Sequence, residues 1–291
     1  MSVALLAASL GYPASAHDGD HNRFAGWFTF CDFDKRARVD PIVNRGGVSD
    51  HNHDFFGGSV NANSTEAQLR SGPTTCTFNS ADPASIRDSG DHSGYWTPSL
   101  KLKTTNEWIT PLGMNVYPRT AVGVSNHAVS SWTPGTEAVF RDNEQGSKYV
   151  GADIRWFCAD AFPGQGSNGD KRQSPYFCGD PAYPHVAVEI FTPGCMKFDT
   201  TRWPDEFGHF AYSDPQTGCP STHPKEVPEM RLVVKYGNKN GQNFRMGEPG
   251  KLVSEDMHFD FFAAWNPGAL SYLIENCIRD SVDCGNDGQP G

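Results

Sequence analysis

Glycine and proline interrupt this chain along its whole length. The sequence has 30 glycines and 21 prolines among 291 residues, spread throughout rather than gathered in one linker. Because proline breaks helices and glycine favours turns, long helices are disfavoured. The sequence therefore predicts many short strands joined by turns, a pattern typical of all-β folds.

Runs rich in β-branched and aromatic residues lie between these turns. Such runs are typical of buried strands. The segments that we predict as strands are 27–31, 137–140, 149–157, 185–191 and 230–236.

Helical patterning is scarce. In 267–279 the apolar residues recur at i, i+3 and i+4, and Asn266 precedes Pro267 as a helix cap. The segments 66–70 and 86–91 are predicted as single helical turns. The predicted fold is mainly β: a disulfide-stabilised, β-sandwich-like single domain with long loops and a C-terminal helix.

The chain has eight cysteines and no Cys-x-x-Cys pair, which argues against a zinc ribbon or a thioredoxin-like redox site. An even number of cysteines in an exported chain predicts disulfides, here four. Sequence proximity favours Cys158–Cys178, Cys195–Cys219 and Cys277–Cys284, and Cys31–Cys76 then pair by elimination.

The N-terminus has the pattern of a secretory signal. Residues 4–10 are apolar, and Ala14-Ser15-Ala16 resembles a cleavage site. We therefore predict a signal peptide over 1–16, a single globular domain over 17–284, a flexible tail over 285–291, and a secreted, extracellular protein.

The charge pattern restricts the partners. The chain has 24 basic and 34 acidic residues and a net charge of −10, without a run of Lys or Arg. Nucleic acid and anionic membrane surfaces are therefore poor partners. No apolar run approaches the roughly 18 residues of a membrane span, so we do not expect an integral membrane protein. We expect a monomer.

Histidines next to aspartates are the strongest chemical signal. In an extended chain His51 and His53 point to the same face, as do His258 and Asp260, because strand side chains alternate. We predict that these residues and two further histidines line one polar cleft. The candidate catalytic residues are His51, His53, His209, His223, His258 and Asp260.

Two kinds of chemistry fit this set. Histidine titrates near neutral pH, and a neighbouring carboxylate orients it for acid–base work. Alternatively, a His-x-His pair supplies two ligands to Cu or Zn, and the remaining ligands come from elsewhere in the fold. The sequence leaves the cofactor open, with Cu or Zn as the candidates.

Aromatic residues beside turn and polar residues are candidates for stacking on sugar rings. Indole and phenol rings combine an apolar face with a polar group. The candidate substrate-binding residues are Tyr95, Trp96, Tyr212 and Trp265.

Several strings together resemble the secreted DUF1996 family (domain of unknown function) of actinobacteria and filamentous fungi. They run in the family order over nearly the whole mature chain. The family usually has Asn where His92 stands, and the segment 125–180 diverges from it. The matching strings are Asp40-Pro41-Ile42-Val43, Ser49-Asp50-His51-Asn52-His53, Ser93-Gly94-Tyr95-Trp96-Thr97-Pro98, His209-Phe210-Ala211-Tyr212, Cys219-Pro220-Ser221-Thr222-His223-Pro224 and His258-Phe259-Asp260-Phe261.

The resemblance implies export and, because some fungal members resemble multidomain proteins with carbohydrate-binding modules, a polysaccharide or cell-wall glycan as partner. We therefore predict a secreted carbohydrate-active protein, in particular a glycoside hydrolase or lyase that acts through a His/Asp cleft lined with aromatic residues. The alternatives are a non-catalytic secreted Cu/Zn-binding or glycan-binding protein, and a purely structural surface protein.

Overall fold

A computed structural model describes residues 25–78, 87–142, 150–152, 154–198 and 208–290. Strands make up 37% of the described residues and helices 12%, which confirms the prediction of a mainly β fold. The predicted signal peptide over 1–16 lies outside the described residues. Within the described part, every helix is too short or too polar to cross a lipid bilayer.

The strands are β1 (Thr29–Ala37), β2 (His53–Gly57), β3 (Cys76–Phe78), β4 (Arg87–Asp88), β5 (Gly94–Pro98), β6 (Leu100–Leu102), β7 (Pro111–Arg119), β8 (Glu137–Asp142), β9 (Val150–Ala152), β10 (Ile154–Ala159), β11 (His185–Phe191), β12 (Cys195–Met196), β13 (Phe210–Ala211), β14 (Lys225–Glu226), β15 (Glu229–Tyr236), β16 (Phe244–Met246) and β17 (His258–Phe262). The helices are α1 (Glu66–Ser71), α2 (Val253–Asp256) and α3 (Pro267–Leu273), with 3₁₀ turns at Asn126–Ala128 and Gly241–Asn243 and a π-helical segment at Ile274–Arg279.

One large sheet with the strand order β10-β11-β15-β7-β1-β2-β5-β17-β8-β9 dominates the fold. Strand β1 connects its two halves. It pairs with β7 and β3 over its first residues and with β2 from Phe33 onward, with a register shift between Phe33 and Lys35. A bulge bends a strand and lets it pass from one sheet to another. The sheet therefore curls until it is nearly closed.

The main hydrophobic core lies between the two halves of this sheet. It includes Trp156 of β10 and Leu232 of β15 from one half, and Phe259 and Phe261 of β17 from the other. A second, smaller cluster covers the opposite face of the second half and includes Phe55, Trp96, Phe262 and Ile42. Both faces of β2, β5 and β17 are therefore buried. Candidate histidines of β2 and β17 lie at one end of the face that the smaller cluster covers.

Most predicted elements are present. β11 has the predicted bounds, and β15 and β8 differ from the predictions by one or two residues at their ends. The segment 149–157 contains two strands, since β9 pairs with β8 whereas β10 pairs with β11. The prediction of a helical turn at 86–91 is wrong, because Arg87–Asp88 pairs with β3 as a short strand.

The other two predicted helices form. At the start of α3 the Asn266 side chain accepts hydrogen bonds from two backbone amides, as predicted, and at the start of α1 Thr65 and Gln68 form a capping box that was not predicted. The C-terminal helix continues to Arg279 with wider, π-helical turns after Leu273. Its predicted apolar face is buried, as Leu270, Leu273, Ile274, Cys277 and Ile278 show.

All four predicted disulfides are present: Cys31–Cys76, Cys158–Cys178, Cys195–Cys219 and Cys277–Cys284. The first joins β1 to β3 beside the core, and the other three close loops of 20, 24 and 7 residues. The segment after Cys284, predicted as a tail, hydrogen-bonds to the rest of the chain: Phe28 N donates to the Gly285 carbonyl oxygen at 3.0 Å.

Candidate metal centre

Three of the predicted histidines meet at one place. The ring centroids of His51 and His53 are 4.2 Å apart, and the ring of His258 lies 5.3 Å from the first and 5.7 Å from the second. One ring nitrogen from each lies within 4.8 Å of the other two. Chain segments more than 200 residues apart therefore converge at this point.

The sheet order produces this convergence. β5 lies between β2 and β17, and Pro98 of β5 is directly opposite His53. His258 begins β17 on the other side of β5. Because neighbouring strands lie about 4.8 Å apart, two imidazoles on either side of the compact Pro98 side chain are close enough to share one ligand.

The loop between β1 and β2 brings in His51. Arg38, just after β1, donates to the carbonyl oxygens of Ser49 and Asp50 at 2.9 and 2.8 Å and so closes the loop. Inside it, the Asp40 carboxylate accepts hydrogen bonds from the amides of Ile42 and Val43. The loop therefore returns to the sheet in a fixed position, with His51 above His53.

Each imidazole donates its Nδ1 proton to an acceptor. The acceptors are the Val39 carbonyl oxygen for His53 at 2.8 Å, the Asp256 carbonyl oxygen for His258 at 2.9 Å, and the Asp50 carboxylate for His51 at 2.5 Å. None of these oxygens carries a proton to give, so Nδ1 is the protonated nitrogen. In the neutral ring Nε2 is then an unprotonated lone pair.

These Nε2 atoms lack a hydrogen-bond donor. Among the described residues, Nε2 of His51 and Nε2 of His53 are buried without any hydrogen bond. Nε2 of His258 faces the Asp260 carboxylate, whose nearer oxygen is 3.5 Å away. A buried acceptor without a partner is unfavourable, and a bound cation would satisfy these nitrogens.

The environment favours neutral rings. Burial, together with the nearby rings of His51 and His258, lowers the pKa of His53 well below its ordinary value. Burial and His51 lower the pKa of His258 to about 3. At neutral pH both rings are therefore in the state that binds metal ions.

Asp260 lies beside the ring of His258 and is 1% exposed. Neither of its carboxyl oxygens has a hydrogen bond among the described residues. Burial, and secondarily Asp40, raises the pKa of Asp260 well above its ordinary value. An isolated buried carboxylate is costly, so a proton or a neighbouring cation must compensate its charge.

A cleft of about 520 Å³ opens next to the cluster. The loop 39–50 forms one wall, and the segment 246–256 forms the other. His51, His258 and Asp260 face the cleft, whereas His53 is fully buried behind them. The site is therefore accessible from one side.

This arrangement has the features of a transition-metal site. Three imidazole nitrogens with one accessible side are typical of catalytic zinc, and a hydrogen bond from the other ring nitrogen to a carbonyl or carboxylate usually orients such ligands. Nitrogens about 2.1 Å from a tetrahedral ion lie about 3.4 Å apart, so small side-chain rotations would bring the three rings into position. Cys31, Cys76 and Asp91 also lie close together, but both sulfurs are in a disulfide and are not ligands.

The other two predicted histidines lie elsewhere. His209 is fully buried, and its Nε2 donates to the Glu137 carbonyl oxygen at 2.6 Å. Nε2 of His223 donates to the Gly208 carbonyl oxygen at 2.7 Å. Neither lines the cleft, so we do not include them in the proposed site.

Three of the four aromatic candidates lie in the core. Tyr95 and Trp96 are fully buried, and Trp265 is 5% exposed. The Tyr95 hydroxyl donates to the Asp91 carboxylate at 2.8 Å. Tyr212 is 43% exposed, but it is not among the residues that line the cleft. With no ring face open to the cleft, these residues are not part of the proposed site.

Sequence reasoning left out the acceptors that orient the rings. Asp50 directly precedes His51, so adjacency was the available signal for this carboxylate. The acceptors from Val39 and Asp256 are backbone carbonyls, which could not be found from sequence because a backbone acceptor leaves no residue pattern.

The model of the family described as "domain of unknown function (DUF1996)" matches residues 40–265. No curated protein and no solved structure matches the chain. The matched range covers well over half of the chain and includes all three clustered histidines. This chain therefore belongs to the DUF1996 family, as its sequence strings predicted.

Proposed function

We propose that His51, His53 and His258 bind one divalent transition-metal ion, Zn²⁺ or Cu²⁺, and that the protein is a secreted metal-dependent enzyme that cleaves extracellular polysaccharide. The observation that carries the metal site is that one ring nitrogen of each imidazole lies within 4.8 Å of the other two, while all three Nδ1 atoms hydrogen-bond to oxygen acceptors. One cation would satisfy the remaining ring nitrogens of all three residues together.

The cleft is the argument for catalysis rather than storage. Structural zinc sites are fully coordinated by protein, whereas catalytic sites keep a position for water or substrate. Three imidazoles leave that position on the cleft side. A divalent ion held in this way polarises a bound oxygen and lowers the pKa of bound water. Asp260, whose carboxylate is 3.5 Å from Nε2 of His258, would accept a hydrogen bond from a ligand in that position.

Secretion and a polysaccharide substrate are the finer parts of the proposal. Four disulfides are typical of an oxidising, extracytoplasmic compartment, which supports secretion. The polysaccharide substrate rests on the likeness to exported proteins with carbohydrate-binding modules. Hydrolase and lyase chemistry both use a polarised oxygen and a nearby base, so both belong to this proposal.

The first experiment measures metal binding directly. The full chain is purified without metal and dialysed against Zn²⁺ or Cu²⁺. Elemental mass spectrometry gives the stoichiometry, and competition with a chromophoric chelator gives the affinity. We expect a single tightly bound ion in the wild type and its loss in H53A and H258A. The matched control is H127A, which removes an exposed histidine outside the cluster.

The outcome is decisive for the site. If H53A and H258A keep the ion with wild-type affinity while their circular dichroism is unchanged, the three-histidine centre is wrong. If the ion binds as expected, a panel of polysaccharides is assayed for new reducing ends and unsaturated products, with and without EDTA. Metal binding without any EDTA-sensitive cleavage would favour the non-catalytic metal-binding alternative.

A further inference from the structure

The cleft is lined by more acidic than basic side chains. Its lining has five carboxyl groups but only two basic side chains, Arg141 and Lys251. Both bases face the same carboxylate: Lys251 Nζ is 3.1 Å from Asp256, and Arg141 Nη2 is 3.5 Å from it. The carboxyl groups other than Asp256 are those of Asp40, Asp50, Glu248 and Asp260.

None of these four has a Lys or Arg within ion-pair distance among the described residues. Two of them, Asp50 and Glu248, lie toward solvent. The Asp50 side chain is 91% exposed. Glu248 is half-buried on the opposite wall. Ligands therefore pass between two carboxylates that form no ion pair with Lys or Arg among the described residues, on a chain whose net charge is −10.

The cleft also has an exposed aliphatic side. Val43 and Val48 line it, and they are 46% and 70% exposed. Both belong to the loop that Arg38 closes, so their position is fixed by the same hydrogen bonds that hold His51. A ligand in the cleft contacts carboxylates and carbon–hydrogen surface together.

We infer that the ligand of this cleft is uncharged and rich in hydroxyl groups, a segment of neutral polysaccharide, and that acidic glycans and phosphate esters are rejected. This inference rests on the proposed metal site. Hydroxyl groups donate hydrogen bonds to carboxylates, and the carbon–hydrogen faces of a sugar ring pack on valines. An anionic ligand is repelled by Asp50 and Glu248, and a cationic one is repelled by the bound divalent ion.

The test uses two small probes that bind transition metals, so it does not depend on knowing the substrate. The full chain is loaded with Co²⁺, whose visible spectrum reports on its ligands. It is then titrated with azide, an anion, and with imidazole, which is used at a pH where it is neutral. The variants are E248K, which reverses a charge at the cleft, and E275K, which makes the same change on the exposed C-terminal helix.

We expect E248K to bind azide about three- to tenfold more tightly than wild type at low ionic strength, and the difference to shrink as salt screens it. Imidazole affinity should be equal in both, and E275K should behave as wild type. Equal azide affinity in wild type and E248K would overturn the inference, as would an equal gain for imidazole. Failure of Co²⁺ to bind would instead refute the proposed metal site.

A second measurement addresses the natural ligand class. Zn²⁺-loaded wild type is tested by calorimetry against neutral gluco- and chito-oligosaccharides and against oligogalacturonate. We expect binding of a neutral oligosaccharide and none of oligogalacturonate. Tighter binding of oligogalacturonate by the wild type would contradict the inference while leaving the metal site intact.

Discussion

Arg36 and Asp54 lie directly opposite each other on β1 and β2, and the Arg36 guanidinium donates two hydrogen bonds to the Asp54 carboxylate, at 2.6 and 3.0 Å. Asp54 is fully buried and also accepts from the Ser99 hydroxyl at 2.7 Å. Asp54 immediately follows His53 in β2, and Ser99 immediately follows Pro98, the last residue of β5. This ion pair therefore anchors the strand that carries one proposed metal ligand to the strand beside it.

Removing one partner of this pair should destabilise the protein strongly. D54A leaves the mostly buried Arg36 charge unpaired, and we expect a loss of about 3–5 kcal/mol in the free energy of unfolding. Burial raises the pKa of Asp54 in spite of Arg36, so desolvation outweighs the attraction. The double variant R36M/D54L should therefore recover most of the loss. Urea unfolding of the metal-free protein measures both.

The surface pair of Glu66 and Arg70 on α1 is the matched control. Because Arg70 is 44% exposed, E66A should cost no more than about 0.5 kcal/mol. An equal cost for D54A and E66A would show that the Arg36–Asp54 pair has no special structural role.

Asp50 orients His51, so its substitution should weaken metal binding without destabilising the fold. D50N removes the charged acceptor of the Nδ1 proton, and changes of this kind typically weaken metal binding about 10–100-fold. We expect a loss near the lower limit because Asp50 is 91% exposed. Chelator competition provides the measurement. D88N, which alters the Asp88–His92 pair outside the cluster, should leave the affinity unchanged, and a similar loss in both variants would contradict the role of Asp50.

Stability should depend on pH through Asp91. Burial raises the pKa of this fully buried carboxyl to about 6, against an ordinary value of 3.8. The folded protein therefore binds a proton more tightly than the unfolded chain, and this contribution to stability is present at low pH and lost as the pH rises from about 4 to about 6. The pKa difference corresponds to about 3 kcal/mol.

The variant D91N cannot titrate, so it should lack this part of the pH dependence. We expect the wild type to lose stability relative to D91N as the pH rises from 4 to 7. Urea titrations of both proteins at several pH values within this range measure it. Parallel pH profiles would mean that Asp91 does not titrate there.

The disulfides should contribute according to the length of the loop that each closes. Cys31–Cys76 spans 45 residues and Cys277–Cys284 spans 7. Chain entropy predicts about 4 kcal/mol for the first and about 2 kcal/mol for the second. The double variants C31A/C76A and C277A/C284A, compared by urea unfolding, test this order. Since all four cysteines are buried, side-chain packing is matched between the variants. The reverse order would refute the entropic explanation.

Sequence predicted the local elements well. β11 and β15 are rich in β-branched residues, and most of their residues are buried. Three disulfide pairs could be inferred because their cysteines are close in the chain. The shared face of His258 and Asp260 followed from strand alternation, which β17 obeys, with Phe259 and Phe261 in the core.

The composition of the candidate site depended on long-range strand pairing. Nothing local shows that β5 lies between β2 and β17, and that order determines which histidines meet. His209 looked equivalent to His258 in sequence, yet it ends in the interior against a carbonyl group. Tyr95 and Trp96 follow turn residues, but their strand is central in the sheet, so both rings are covered.

The position of β17 has a consequence for how the molecule is assembled. Its sheet neighbours β5 and β8 both precede it in the chain, and they pair with each other only through it. During synthesis from the N-terminus, each of these strands therefore exposes an unpaired edge until residues 258–262 have emerged, and such edges readily pair with other nascent chains. The last ligand of the proposed centre arrives with that strand, so any ion must be acquired after the sheet is complete.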